Sequence, residues 1–223
     1  GVPGGIYLDE GSGFIEVTDN VVYNVRTPMN YNNRAQNRVA TCNEHDNFFG
    51  IRPGGSARAP GKVGTALACD GVSVFESVPH SDKLEPKHLT IEAWVQLNQY
   101  PGGEDPRRWI VNKNTHEFAE SHYALVIDGK KAAAYLNIGA GEQNYHEAYS
   151  GDVLELNRWH HLAMTYDGSV LKVYVDGHEA GANKIEKERK GGVTPLDIGR
   201  RQDGYIYFQG KIDEVRLYNR ALS

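Results

Sequence analysis

The sequence predicts an all-β protein: two antiparallel sheets packed as a sandwich or jelly roll, with a β-rich segment ahead of them. Three observations support that class. Short apolar runs with a period of two recur along most of the 223 residues. Turn residues, 25 glycines among them, break these runs at close intervals. No long window keeps the period of an amphipathic helix. At this length one large β domain, or one domain with an appendage, has room for a sizeable core.

Residues 1–60 form a first zone, rich in Asn and Gly. Within "GIYLDEGSGFIEVTDNVVYNV" the apolar positions mark strands at 5–8, 14–17 and 20–25, a density that suits stacked rungs. The asparagine-flanked "NVVYN" and the stretch through "EHDNFFGIRPG" resemble the last coils of a right-handed parallel β-helix, the fold of many polysaccharide lyases and glycosidases. So few rungs cannot enclose a solenoid core, so the segment is expected to pack on the remainder of the chain or on a further domain. Residues 54–61, "GGSARAPG", are expected to be a linker, because small residues, Pro and Gly hold no regular element there.

Residues 61–223 read as regularly spaced strands, at 66–69, 72–77, 89–96, 109–113, 123–127, 132–138, 159–166, 171–175, 196–198, 207–208 and 211–218. Such a succession without intervening helices points to the two-sheet sandwich. Residues 166–177, "YDGSVLKVYVDG", raise the question of a calcium loop on Asp167 and Asp176. An EF-hand needs carboxylates two residues apart, and an alternating run from Val170 to Val175 fills that space instead. The two Asp-Gly pairs are therefore turns, supplying the positive φ of tight hairpins.

Three motifs in order, "LTIEAWVQL", "NRWHHLAMTYDGSVLKVYVDG" and "GKIDEVRLYNRALS", resemble the laminin-G-like branch of the concanavalin A-like lectin/glucanase superfamily. The resemblance implies a concanavalin A-like antiparallel jelly roll over 61–223 and a framework histidine in the second motif. It also implies a structural calcium, held by an acidic residue of the final strand. Asp213 is that residue, and it interrupts the alternation of Ile212, Val215 and Leu217. An inward carboxylate on such a strand needs a cation or hydrogen-bond partners. With Asp70 and Gly71 of "CDG" it would offer hard oxygen ligands suited to calcium; a salt bridge or turn contact for Asp213 is the plainer alternative.

Composition narrows the function classes. Lys and Arg number 24 against 29 Asp and Glu, and no stretch gathers the positive residues, which excludes a nucleic-acid footprint. No apolar run approaches a membrane span. From Gly1 onward the features of a signal peptide are missing, and the sequence reads as cut from a longer chain. Cys42 and Cys69 allow one disulfide or two thiols.

Among candidate chemical groups, Trp94 and Trp159 are expected to fill the space between sheets, and Trp109 at a strand start is assigned to the core as well. His160 and His161 point to opposite faces of one strand and do not share an ion. The alternating acids of a glucanase, E-x-D-x-x-E, are missing; "IEAWVQL" keeps Glu92 alone, and Asp9, Glu10 and Glu16 of "LDEGSGFIE" read as rung-edge turns. A uronate lyase would draw on His116, His122, Tyr123, Tyr145 and His146 with Arg107, Arg108, Arg200 and Arg201, but no spacing fixes these together.

The function these readings imply is a non-catalytic carbohydrate-binding accessory module of an exported polysaccharide-degrading enzyme, secreted, periplasmic or on the cell surface. Its partners would be a polysaccharide or oligosaccharide and a neighbouring catalytic β-helix, not nucleic acid or membrane. Ligand contacts are assigned to Tyr145 and His146 in "NYHEAY" and to Arg200, Arg201 and Tyr205 in "RRQDGYIY", where tyrosines stand beside hydrogen-bonding side chains. The alternatives are a structural cap on the β-helix, a protein-adhesion domain and, last, a catalytic jelly roll.

Overall fold

The computed structural model describes residues 57–222 apart from 152, and within the first 56 residues the segments 6–8, 14–18, 21–25, 29–31, 43–45 and 48–51. Cys42, Asp9 and Glu10 lie outside the described residues. The chain divides into two compact units, Gly1–Gly55 with Glu76–Val78, and Ser56–Phe75 with Pro79–Ser223.

The first unit contains β1 (Ile6–Leu8), β2 (Glu16–Thr18), β3 (Val21–Val25), β4 (Met29–Tyr31), β5 (Asn43–His45) and β6 (Phe48–Ile51). Each strand pairs in parallel with the one three places later: β1 with β4, β2 with β5, β3 with β6. β9 (Glu76–Val78) joins β6 antiparallel at Ser77.

The second unit is built from long antiparallel strands. One sheet has seven, in the order β17 (His178–Lys184), β16 (Val170–Val175), β15 (Trp159–Tyr166), β10 (Leu89–Gln96), β19 (Gln209–Tyr218), β8 (Thr65–Asp70) and β7 (Arg58–Pro60). The other runs β14 (Tyr145–Tyr149), β13 (Lys131–Asn137), β12 (Tyr123–Asp128), β11 (Arg107–Lys113) and β18 (Leu196–Ile198). Alternation decides which side is buried: Ile91, Ala93 and Val95 of β10 are shut off from solvent while Glu92, Trp94 and Gln96 between them are partly open. The predicted all-β jelly-roll class is what forms, and the bounds read for β10, β15 and β18 match residue for residue.

The Asp-Gly pairs are turns, as read. Asp176 and Gly177 take φ of 50° and 84°, both on the positive side, as a two-residue hairpin that matches strand twist requires. Asp167 accepts the N–H groups of Ser169 and Val170 at 2.8 and 2.7 Å. Four expectations need correction. The strand placed at 72–77 begins only at Glu76, because the Asp70 carboxylate accepts the N–H groups of Val72, Ser73 and Val74 and bends the chain there. Arg58–Pro60, inside the expected linker, pairs with β8. Edge strand β17, "HEAGANK", escaped the sequence reading because it carries almost no apolar alternation. "YHEAY", expected to be a loop, is edge strand β14.

Candidate functional site

The outward face of the β11–β14 sheet is defined by register. Trp109 lies opposite Val126, Ala124 opposite Tyr135, Tyr135 opposite Glu147, Asn137 opposite Tyr145 and Ala133 opposite Tyr149, so these side chains share one face. Trp109, Ala124, Val126, Ala133, Tyr135 and Ile206 form a buried cluster with Tyr145 and Tyr149 packed on it; no residue of the seven-stranded sheet belongs to it, so this face looks away from that sheet. Rings pack edge to face: Tyr135 is 5.3 Å from Tyr145 and 5.6 Å from Trp109, and Phe118 is 5.7 Å from Tyr145.

Loops hold this layer in place. The fully buried Asn137 donates to the carbonyls of Glu117 and Gly141 at 3.0 Å each, and Gly141 N–H donates to Phe118 O at 2.9 Å. Thr115 N–H donates to the Gln202 side chain at 2.8 Å, which ties the loop after β11 to the one carrying Arg201 and Tyr205. Beneath that loop, Glu85 binds buried Lys113 at 2.6 Å, Arg189 and, at 2.9 Å, Asn114. Arg189 also donates to Ser121 O at 2.8 Å, so the loop carrying Glu117 and Phe118 is clamped at both ends.

An alternating charge array crosses the rim. Arg107 pairs with Asp105 and Glu117, and Arg201 pairs with Glu117 at 3.1 Å and with Asp203 at 2.6 Å. Burial pushes the Glu117 carboxyl up, but hydrogen bonds from Arg107 and the charges of both arginines outweigh it and hold it below the usual range. The Arg107 hydrogen bond likewise depresses Asp105. Asp203 is lowered too, Arg201 overcoming the cost of burial. Burial raises the Tyr145 and Tyr149 phenols, with Glu147 accepting from both, at 2.8 and 3.1 Å. Carboxylates held ionised accept hydroxyl hydrogens and are unsuited to the protonated general acid of glycoside hydrolysis. Phe118 and Tyr205 are 41% and 61% exposed, so a flat ligand can reach their rings.

Of the five residues assigned to a ligand, three lie on this surface. Tyr145 touches Phe118, and the preceding residue, Glu117, pairs with Arg201, whose guanidinium stands 4.6 Å from the Tyr205 ring. The other two do not. His146 pairs with Leu136, so it points to the opposite face from Tyr145; burial, then the Lys187 charge, lowers its pKa. Arg200 turns away to Asp197 at 2.6 Å and lies 3.5 Å from the Phe75 ring centre. Both placements share a cause: adjacent residues in extended chain face opposite ways.

The three residues assigned to calcium are not brought together. Asp70 pairs with Gln209 and Ile212 with Leu67, which sets Asp213 about 13 Å further along β19 from Asp70. Asp70 is saturated by three backbone N–H groups and the Ser73 hydroxyl, which hold its pKa well below the usual range. Asp213 pairs with Trp94, so it lies on the outward side rather than inside, beneath the Gly61–Gly64 turn, and accepts Val63 N–H at 2.9 Å. Carboxylates surrounded by donors do not fit a cation. The turn contact explains Asp213.

His160 is the framework residue the resemblance implied: it accepts Glu155 N–H at 3.0 Å and meets Asp176 at 3.0 Å, tying two loops. Of the three tryptophans expected in the core, one is found there. Trp109 is buried, whereas Trp94 and Trp159 are half-buried on the outward side of the seven-stranded sheet. Parity carried that signal, since Trp94 alternates with Glu92 and Gln96 on the polar side of β10.

Residues 70–223 match the family model described as the concanavalin A-like lectin/glucanases superfamily. The chain belongs to this superfamily. Among solved structures of similar fold, domain 4 of AbnA, an extracellular GH43 arabinanase from Geobacillus stearothermophilus in complex with arabinotriose, is 21% identical with a TM-score of 0.61, covering 78% of this chain and 79% of that one. A putative carbohydrate binding protein from Bacteroides ovatus is 20% identical with a TM-score of 0.53, covering 78% of this chain and 46% of that one. The binding domain of botulinum neurotoxin DC, in complex with SialylT, is 12% identical with a TM-score of 0.55, over 76% and 42% of the two chains. Among curated proteins, adhesion G-protein coupled receptor V1 of Danio rerio is 25% identical over 107 residues, 47% of this chain and 2% of the receptor. No helix among the described residues is long and apolar enough to cross a membrane.

Proposed function

We propose that this lectin-like chain is a non-catalytic carbohydrate-binding module that accompanies an exported polysaccharide-degrading enzyme. The observation that carries the reading is the rim of the β11–β14 sheet, where Phe118, Tyr145 and Tyr205 present rings beside the Arg107–Glu117–Arg201 array. Aromatic rings stack on the C–H faces of sugars, while the guanidinium and carboxylates bind the hydroxyls. Superfamily membership and the arabinotriose complex of the arabinanase domain support the ligand class, and the extracellular arabinanase supports export. The parallel pairs of the first unit support reading residues 1–60 as the end of a β-helix whose remainder carries catalysis.

A protein-adhesion role draws on the receptor match. Against it, the exposed Val63, Val72, Val153 and Val193 among the described residues each lie in a different loop along the chain. Calorimetric titration of the full chain with a panel of neutral and acidic polysaccharides tests the proposal. At least one should bind, and Tyr145→Ala or Arg201→Ala should weaken it about tenfold, the loss of one stacked ring or one charged hydrogen bond. No binding across the panel, or unchanged affinity in both variants, refutes it.

A further inference from the structure

The outward side of the seven-stranded sheet holds a cleft of about 790 Å³ unconnected with the residues above. Its floor is set by register: His161 lies opposite Trp94, and Trp159 opposite Gln96, so the two indoles and the imidazole share one face. Trp94 and His161 rings are 5.2 Å apart, and the Asp176–Gly177 turn and Arg158 close one end.

The other end is closed by Lys62, whose ammonium stands 4.4 Å from the centre of the Trp94 ring. Its position is built rather than incidental. Lys62 sits in the Gly61–Gly64 turn, which is closed by a 3.0 Å backbone bond and anchored by the 2.9 Å bond from Val63 N–H to Asp213. Gly61 is packed against the same carboxylate, where a Cβ would lie 2.5 Å from Asp213 Oδ2. The buried Asp213 thus holds a lysine over a tryptophan. Other cations of this face are neutralised: Arg158 by Glu155, Lys172 by Glu179, Arg216 by Glu92 and Glu214. Lys62 has no carboxylate partner among the described residues, nor has Lys211, which pairs with Gln96 between the two indoles in register.

We propose that this cleft is a second carbohydrate site, for a sugar bearing a carboxylate, with a pyranose ring stacked on Trp159 and the carboxylate at Lys62, whose ammonium lies over the Trp94 ring. A half-buried indole on an open, polar-rimmed floor suits the C–H face of a sugar ring; an unpaired ammonium fixed in the same cleft selects an anionic substituent. The proposal shares the general carbohydrate-binding reading but none of its residues, so the two fail separately.

Calorimetry and indole fluorescence on the full chain, with an oligogalacturonate and its methyl ester, test it. The acid should bind more tightly than the ester and lose affinity as salt rises. Trp159→Ala should weaken both ligands about tenfold, as expected for one lost stacking ring, and Trp94→Ala, which removes the ring beneath Lys62, should weaken the acid. Lys62→Gln, on an exposed turn that leaves the sheet intact, should weaken the acid about fivefold and leave the ester as it was. Equal affinity for acid and ester, or a Lys62→Gln chain that binds the acid as before, overturns the proposal. So does binding that is lost in Tyr145→Ala but kept in Trp159→Ala, which would leave the first site standing.

Discussion

The outward faces of the two sheets start from the same alternation and end under different cover. On the β11–β14 sheet Trp109 and Tyr135 point outward yet are 0% and 1% exposed, because loops lie over them. On the seven-stranded sheet Trp94 and Trp159 also point outward but stay half-buried, with Lys62 over the Trp94 ring and His161 beside it. Strand parity chooses the face, and loops choose the exposure. The loops are in turn held by polar groups taken out of water: Asn137 with the Glu85–Lys113–Arg189 network on one side, Asp213 on the other. A buried polar group is tolerated only when its partners are present, so each anchor is a point where the cover can be removed.

The largest effect is expected from Glu85→Ala. It leaves the Lys113 and Arg189 side chains, both 0% exposed, without their shared carboxylate. Unfolding free energy in denaturant should fall by about 3–5 kcal/mol, and polysaccharide binding that depends on Tyr145 should weaken with it. A loss below about 1 kcal/mol would mean that the loops over the β11–β14 sheet do not depend on this network.

Next comes pH. His122, fully buried and edge-on to Trp109 at 5.6 Å, has its pKa lowered from 6.5 to about 3 by burial, with Glu117 opposing. The unfolded chain takes up this proton below 6.5 and the folded chain does not, so its contribution is complete above 6.5 and is lost as pH falls toward about 3. Between neutral pH and about pH 5 this amounts to roughly 2 kcal/mol. His122→Leu should flatten that part of the stability profile; an unchanged slope would remove His122 as its source.

Asp213→Ala should cost about 1–2 kcal/mol, since it frees two N–H groups, those of Val63 and Glu214. It should also raise the mobility of Lys62, read as a change in Trp94 fluorescence. Least of all, Lys190→Ala breaks an exposed pair with Glu120 and should change stability by under about 0.5 kcal/mol. A larger loss there would show that the surface of the covering loops contributes more than their buried anchors.

Much of the fold was legible in the residues themselves. β10, β15 and β16 announce their buried faces through Ile91, Ala93 and Val95, Leu162 and Met164, and Leu171 and Val173, and the Asp-Gly pairs announce the turns. β14 and β17 were hidden because an edge strand has less to bury and so carries less pattern. The site was half legible. Tyrosines beside hydrogen-bonding groups pointed to Tyr145, Arg201 and Tyr205, which share the candidate rim, while His146 and Arg200, assigned by adjacency, face elsewhere in an extended backbone.

By itself the sequence determined the class of fold, its turns and the membership of each strand's two faces, since those follow from a period of two and from positive-φ residues a few positions apart. Only the tertiary structure decided which face meets solvent and which lies beneath a loop. Cover comes from residues distant along the chain: Glu85 with Lys113 and Arg189, Val63 with Asp213. No local pattern records such pairings, because their free energy exists only once the sheets have brought the partners together.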